Sequence, residues 1–203
     1  SNSPMLAALL REAGAEVTLY SVPTDNEAKL SATLAQAWTG VDILVTTGGI
    51  SVGQTDHVLD ALHGLGAETV FRGVAIRPGK PLTVMAQGPR LAFCLPGNPG
   101  ASAICALVFL LPCLRAIMGQ QPQAALLPGV ADFAFTPVVS TTHFLPVSCV
   151  PGADGLRLSL LPTVGASDII VFSRANALLR VDPDMPVQPG QTRWVLPLQP
   201  NGI

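Results

Sequence analysis

Apolar positions recur at helical spacing from the start of the chain. Leu6, Leu9, Leu10 and Ala13 share one side of a helix over residues 4–13, and Gly14 follows as a stop. "AEVTLYSV" then alternates like a strand. "TDNEAKLSATLAQAW" returns to helical spacing, with Thr24 or Asp25 as cap and Glu27 completing a capping box three residues after Thr24. "VDILVTT" reads as a strand that runs into a glycine-bearing loop and then a helix over about residues 55–65. "ETVFRGVAI", "PLTVMAQ" and "RLAFCLP" read as short strands, and an apolar helix from about Ala101 to Met118 follows them.

The pattern changes at a Gln-, Pro- and Gly-rich joint from Gly119 to Gly129. Beyond it, "DFAFTPVVS", "HFLPVSCVP", "LRLSLLP", "NALLRVD" and "RWVLPLQP" are short β-type runs punctuated by Pro and Gly. Two domains are expected. Residues 1–120 would form an α/β domain on a mixed, mostly parallel sheet with helices on both faces, and residues 125–203 a small all-β, barrel-like domain.

Composition supports a packed core: the 203 residues are 49% hydrophobic and only 12% charged. A net charge of −2 argues against a nucleic-acid partner held by bulk electrostatics. The longest apolar stretch, "ASAICALVFLLPCLRAIM", carries Pro112 and Arg115 and falls short of the roughly 20 residues that span a bilayer. It reads as a buried or interface helix, so no membrane partner is expected. Cys94, Cys105, Cys113 and Cys149 show no metal-type spacing and read as small buried hydrophobes of a reducing, cytoplasmic protein. No signal peptide is visible, and a start at Ser rather than Met suggests a piece of a longer chain.

Three stretches carry candidate chemistry. In "TTGGISVGQTDH", Gly48, Gly49 and Gly53 would let backbone N–H groups approach an anion where a strand ends, although a structural turn explains the glycines too. Asp56, near the next helix start, either serves the helix dipole or, together with Asp25, holds a Mg²⁺ ion against ligand phosphates. A carboxylate beside a phosphate site repels it unless a cation bridges the two. His57 reads as a partly exposed helix residue.

In "RGVAIRPGKPLTV", Arg72, Arg77 and Lys80 form a positive cluster around a Pro78-Gly79 turn. Lys29 and Lys80 are the only lysines, which makes an anion clamp at Lys80 worth setting against a solvated turn. In "CLPGNPGASA", Pro96 and Pro99 stiffen a strand-to-helix turn, and Gly97 and Gly100 clear its backbone. Ser102 and the helix N–H groups could hold a second anion, against the alternative of a rigid turn.

Taken together, "SNSPML", "TTGGISVGQTDHV", "AIRPGKPLTV" and "LPGNPGASA" resemble the molybdopterin molybdenumtransferase family, the MoeA and gephyrin E-domain type, over about residues 1–118. The β-rich remainder, with "SRANALLRV", looks like that family's C-terminal barrel. The resemblance implies a MogA-like molybdopterin-binding domain followed by a barrel, without the family's two N-terminal domains. It implies molybdenum cofactor biosynthesis: adenylylated molybdopterin and molybdate as substrates, Mg²⁺ as cofactor and AMP as leaving product. It also implies a homodimer in the full-length form and a MogA-type adenylyltransferase as a partner.

Asp25 and Asp56 match the family's active-site carboxylates, both also expected as Mg²⁺ ligands, and Lys80 the lysine of its PGKP motif; these three are the expected catalytic residues. Thr47, Gly48, Gly49, Ser51, Gly53, Arg77, Pro96, Gly97, Asn98, Pro99 and Ser102 are the expected cofactor-binding residues. Two positions depart from the pattern: Gly73 stands where the family has a basic residue, and Pro146 replaces an arginine of the barrel. Arg72 neighbours Gly73, but adjacent strand residues point to opposite faces. Two alternatives stand beside catalysis in the full-length dimer. One is a non-catalytic molybdopterin-binding module or inactive paralogue, and the other a CinA-like nucleotide hydrolase.

Overall fold

The computed structural model describes residues 2–21, 27–48, 56–152, 155–163, 165 and 167–198. The chain forms two compact units, residues 1–74 with 79–118 and residues 75–78 with 119–203.

The first unit opens with α1 (Asn2–Glu12), which buries Leu6, Ala7 and Leu10. It ends as its sequence requires: Gly14 N donates to Arg11 O and Ala15 N to Leu10 O, the paired bonds of a Schellman motif. Ala15–Ser21 carries no strand ladder despite its alternation. Next come α2 (Glu27–Trp38), β1 (Ile43–Thr47), α3 (His57–Gly64) and β2 (Glu68–Arg72). The expected cap residues of α2, Thr24 and Asp25, lie outside the described residues.

After the short β3 (Ile76–Arg77) come β4 (Thr83–Gln87), β5 (Arg90–Leu95), α4 (Pro99–Cys105), a π-helical turn (Ala106–Leu110) and α5 (Leu111–Ile117). The π turn has a local cause. Pro112 has no N–H and its ring would press on the carbonyl of Val108. The wider turn, with Leu111 N bonded to Ala106 O, accommodates it. The helix formed by these three segments, Pro99–Ile117, is apolar and long enough to cross a membrane by length and composition, and half of its most apolar window is buried inside the structure.

The sheet of the first unit has the order β1-β5-β4-β2. Among the described residues only β1–β5 is parallel; β5–β4 and β4–β2 are antiparallel. The sheet is mixed, as expected, but among the described residues it is not mostly parallel. The reason is the two-residue turn at Gly88 and Pro89, which makes β4 and β5 a hairpin rather than a crossover pair. Leu34, Ala37, Trp38, Leu44, Val58, Leu59, Leu62 and Met85 pack into one core against this sheet. The buried Trp38 is satisfied by Gln87, whose Oε1 accepts from the indole N–H at 2.7 Å while its amide donates to Leu65 O.

The second unit contains β6 (Leu127–Ala131), β7 (Thr142–Gly152), β8 (Gly155–Leu160), α6 (Ile169–Arg174), β9 (Ala177–Val181) and β10 (Thr192–Pro197). The ladder runs β7-β8-β6-β10-β9 and closes through β9–β7, a five-stranded barrel. Val147, Cys149, Leu158, Leu179, Val187 and Val195 fill its interior. Phe135 forms only an isolated bridge to Val187, so the strand expected at "DFAFTPVVS" is absent there.

β3 is added to the edge of this barrel, parallel to β7 with Arg77 opposite His143. "ETVFRGVAI" is thus not one strand. Gly73 takes φ +79, a left-handed conformation that ends β2, and the next residues join the other unit.

Candidate functional site

β1 and β5 lie in parallel register with Thr47 opposite Leu95, so their carboxyl ends stop side by side. Open α/β sheets present ligand crevices at this edge. Gly48 N donates to Leu95 O at 3.2 Å, and Gly48 itself takes φ +78. A Cβ built on Gly97 would stand 3.5 Å from the Gly48 α-carbon. Gly48, just past β1, and Gly97, just past β5, therefore meet backbone to backbone.

The Pro96–Asn98 turn is held from beneath. Asn2 Nδ2 donates to Gly97 O at 2.7 Å and lies 3.5 Å from Ser102 Oγ. The fully buried Ser102 hydroxyl donates to Pro96 O. This corrects one expectation: Ser102 spends its hydrogen on the turn and is not free to hold an anion. Asn98 occupies the N-cap of α4, with Ser102 N bonded to its carbonyl at 2.9 Å, and Pro99 is the first helical residue. Pro96 is buried, whereas Gly97 and Asn98 are exposed to an incoming ligand.

Asp56 caps α3. Its Oδ1 accepts from Leu59 N at 3.4 Å, and its Oδ2 lies 3.9 Å from Arg72 Nη2. The carboxylate is 8% exposed. Burial pushes its pKa up, against the opposing pull of the Leu59 N–H and of Arg72. Thr46 and Cys94 lie opposite each other on β1 and β5. Burial lifts the Cys94 thiol to about 11, with Asp56 adding to the rise and the Thr46 hydroxyl opposing it. The exposed His57 pairs with Glu27 at 3.2 Å and fastens α3 to α2.

The "RPGKP" stretch divides. Val74 N donates to Lys80 O and Gly73 N to Leu82 O, closing the turn that carries an exposed Lys80. The buried Cys105 thiol donates to Gly79 O at 3.6 Å, which ties this turn to α4. Arg77, by contrast, belongs to the second unit through β3, so Arg72, Arg77 and Lys80 are not one cluster on one surface element.

Arg72 and Asn2 were legible as residues but not as parts of the site. β2 carries a bulge between Thr69 and Phe71, and Arg72, just past it, lies 3.9 Å from Asp56. Asn2 stands just before the apolar stripe of α1, where a polar residue reads as a cap.

Asp25, Gly49, Ser51 and Gly53 lie outside the described residues. Among the described residues no group of three or more His, Cys, Asp or Glu could hold a metal. Of the two expected Mg²⁺ ligands only Asp56 is described, and its oxygens face an N–H and a guanidinium. The described residues do not by themselves fit that ion. Two surface cavities, of about 480 Å³ beside β2 and about 310 Å³ on the barrel between β9 and β10, are lined by other residues than these.

Residues 1–116 match the family described as "Probable molybdopterin binding domain". A molybdopterin molybdenumtransferase of Nostoc sp. is 41% identical over 123 residues, which are 59% of this chain and 28% of that protein. One of Synechococcus elongatus is 37% identical over 131 residues, 63% of this chain and 32% of that protein. The alignments thus span less than a third of these relatives.

Two solved structures share the fold. A molybdenum cofactor biosynthesis protein from Pyrococcus furiosus superposes with a TM-score of 0.76 at 24% identity, over 96% of this chain and 63% of its own. A molybdopterin biosynthesis MoeA protein from a second Pyrococcus species gives 0.81 at 22% identity, over 98% and 48%.

Proposed function

The chain belongs to the molybdopterin-binding-domain family, and on that premise we propose that its first unit holds the phosphate-bearing end of a molybdopterin-type ligand. The observation that carries this reading is the meeting of Gly48 and Gly97 at the carboxyl ends of β1 and β5. Two backbones without side chains leave this edge open to a ligand, and since the Gly48 N–H is already given to Leu95 O, the charge for an oxyanion comes from a side chain. Exposed Lys80 supplies a compact positive charge on the turn tied to α4. Asn2 and Ser102 hold the Pro96–Asn98 turn in place. Gly97 and Asn98, exposed on that turn, would meet the pterin side, with the buried Pro96 and with Pro99 stiffening the turn, and Thr47 and Gly48 would lie towards the phosphate.

The whole protein would act in molybdenum cofactor biosynthesis as a molybdenumtransferase, the activity named for its relatives. In that reaction the adenylyl–pterin phosphoanhydride is cleaved, molybdenum is left on the pterin dithiolene and AMP departs. The full-length protein would work in the cytoplasm as a homodimer supplied by a MogA-type adenylyltransferase. Mg²⁺ is left out of the proposal, because Asp56 is already engaged by Leu59 and Arg72.

The test is calorimetric titration with adenylylated molybdopterin, followed by molybdate-dependent AMP release. Binding lost in Lys80→Ala supports the reading; absence of binding refutes it. A second reading, a molybdopterin-binding module without turnover, is favoured by Gly73 and Pro146 in place of basic residues. It predicts binding with no AMP release.

A further inference from the structure

We infer that Arg72 takes the place of a divalent cation at Asp56, and that its guanidinium grips the ligand's phosphate. This rests on the reading of the strand-end edge of β1 and β5 as a phosphate site.

The placement of Arg72 is fixed by backbone. It is the last residue of β2, just past the bulge, and Gly73 N bonds to Leu82 O immediately after it. The family's basic residue would fall at Gly73, but φ +79 there is a conformation that side-chain-bearing residues rarely adopt. The chain turns away at Gly73, so Arg72 is the last side chain that β2 presents at this edge. Asp56 is the partner that orients it, 3.9 Å away across the mouth of the site.

The chemistry favours transfer of that charge to a ligand. The carboxylate is nearly buried and already accepts the Leu59 N–H, whereas the Arg72 side chain is 63% exposed. At 3.9 Å, with the guanidinium itself in solvent, the pair is loose at its Arg72 end. A guanidinium has five N–H donors, so it can face Asp56 with one edge and a phosphate with another. A Mg²⁺ ion bound by Asp56 would have to displace this guanidinium or sit beside it. The bridge between carboxylate and phosphate is thus built from protein.

The probe is AMP, a phosphomonoester that chelates Mg²⁺ weakly, titrated calorimetrically into the intact protein with EDTA and again with Mg²⁺. Adenosine serves as the uncharged control. Wild type should bind AMP equally in both buffers. Arg72→Ala should weaken AMP by about 10- to 100-fold, the loss of a charge-assisted bond, while leaving adenosine unchanged. Arg72→Lys should fall between, since it keeps charge but loses the fork. Asp56→Asn should keep AMP binding or tighten it, because the competing carboxylate is gone.

Arg72→Ala binding AMP as wild type does would overturn the inference. So would a Mg²⁺-dependent gain that Asp56→Asn removes. If wild type binds AMP in neither buffer, the phosphate reading of the edge fails and the role of Arg72 goes with it. A thermal melt of Arg72→Ala separates either result from misfolding.

Discussion

Replacing Ser102 and Asn2 by alanine should have unequal effects on the first unit, although both side chains hold the same turn. The Ser102 hydroxyl is fully buried and donates to the carbonyl of Pro96, itself buried. Ser102→Ala changes shape little but deprives that carbonyl of its donor. A buried polar group left unsatisfied costs about 1–3 kcal/mol, and the mutant should lose that much. Asn2 gives a different sum. Its Nδ2 bond ends on Gly97, an exposed residue whose carbonyl can turn to water. Its Oδ1 is buried with no partner among the described residues, so alanine also removes a standing penalty of similar size. Asn2→Ala should therefore stay within about 1 kcal/mol of wild type.

Urea unfolding followed by tryptophan fluorescence measures this directly. Trp38 is buried in the first unit and Trp194 is 59% exposed in the second, so a Trp194→Phe background leaves a reporter for the first unit alone. A Ser102→Ala midpoint equal to that of the parent, or a greater loss in Asn2→Ala, would refute the reasoning.

The second unit should lose stability in mild acid through His143. This imidazole is buried, accepts from Val138 N at 3.1 Å, and has its pKa lowered first by burial and then by Arg77. The unfolded chain takes up the proton first as pH falls below about 6.5, so stability declines from there until the folded-state imidazole protonates, and then levels off. Urea midpoints across that window should show the slope, and His143→Gln, which does not titrate, should flatten it. Gly129→Ala would place a Cβ 2.7 Å from Leu158 Cδ2 and 3.1 Å from Leu156 O, so overpacking should cost the barrel about 1–3 kcal/mol in the same assay. A thiol reagent should label the half-exposed Cys113 first. Cys94 and Cys105, buried and with pKa values pushed up to about 11 and about 12, should react only on unfolding; early labelling of either would contradict their burial.

What the sequence revealed follows the range of the interaction involved. The helices around Leu6, Leu34 and Leu62 were legible because their apolar spacing is local, as was the turn at Pro96–Pro99. The glycines of the two strand-end loops marked where backbone would be bare, though only the parallel register of β1 and β5 sets Gly48 against Gly97. That the sheet is mixed was legible, but not the antiparallel direction of β4 and β5, because nothing in "TVMAQ" or "RLAFCL" states one; the short Gly88-Pro89 turn does. Ile76 and Arg77 pair with Thr142 and His143, far along the chain, and no local pattern announces that partner. Arg72 was set aside because its pairing with Asp56 is made between two elements, which no local pattern shows. Ser102 was misjudged because a small residue at a helix start looks the same whether it serves a ligand or its own turn.

The excursion of Ala75–Pro78 into the barrel also decides how this protein can be dissected. The backbone passes from one unit to the other after Val74, returns before Gly79 and passes again after Met118. Scissors at Gly119 would not give two modules: the downstream fragment would lack its added edge strand, and the upstream fragment would carry an orphaned loop. Fusions, truncations and domain swaps should be drawn around all three crossings. A graft of the barrel onto another protein would need the tetrapeptide Ala75–Pro78 supplied in trans or stitched in as an extra hairpin.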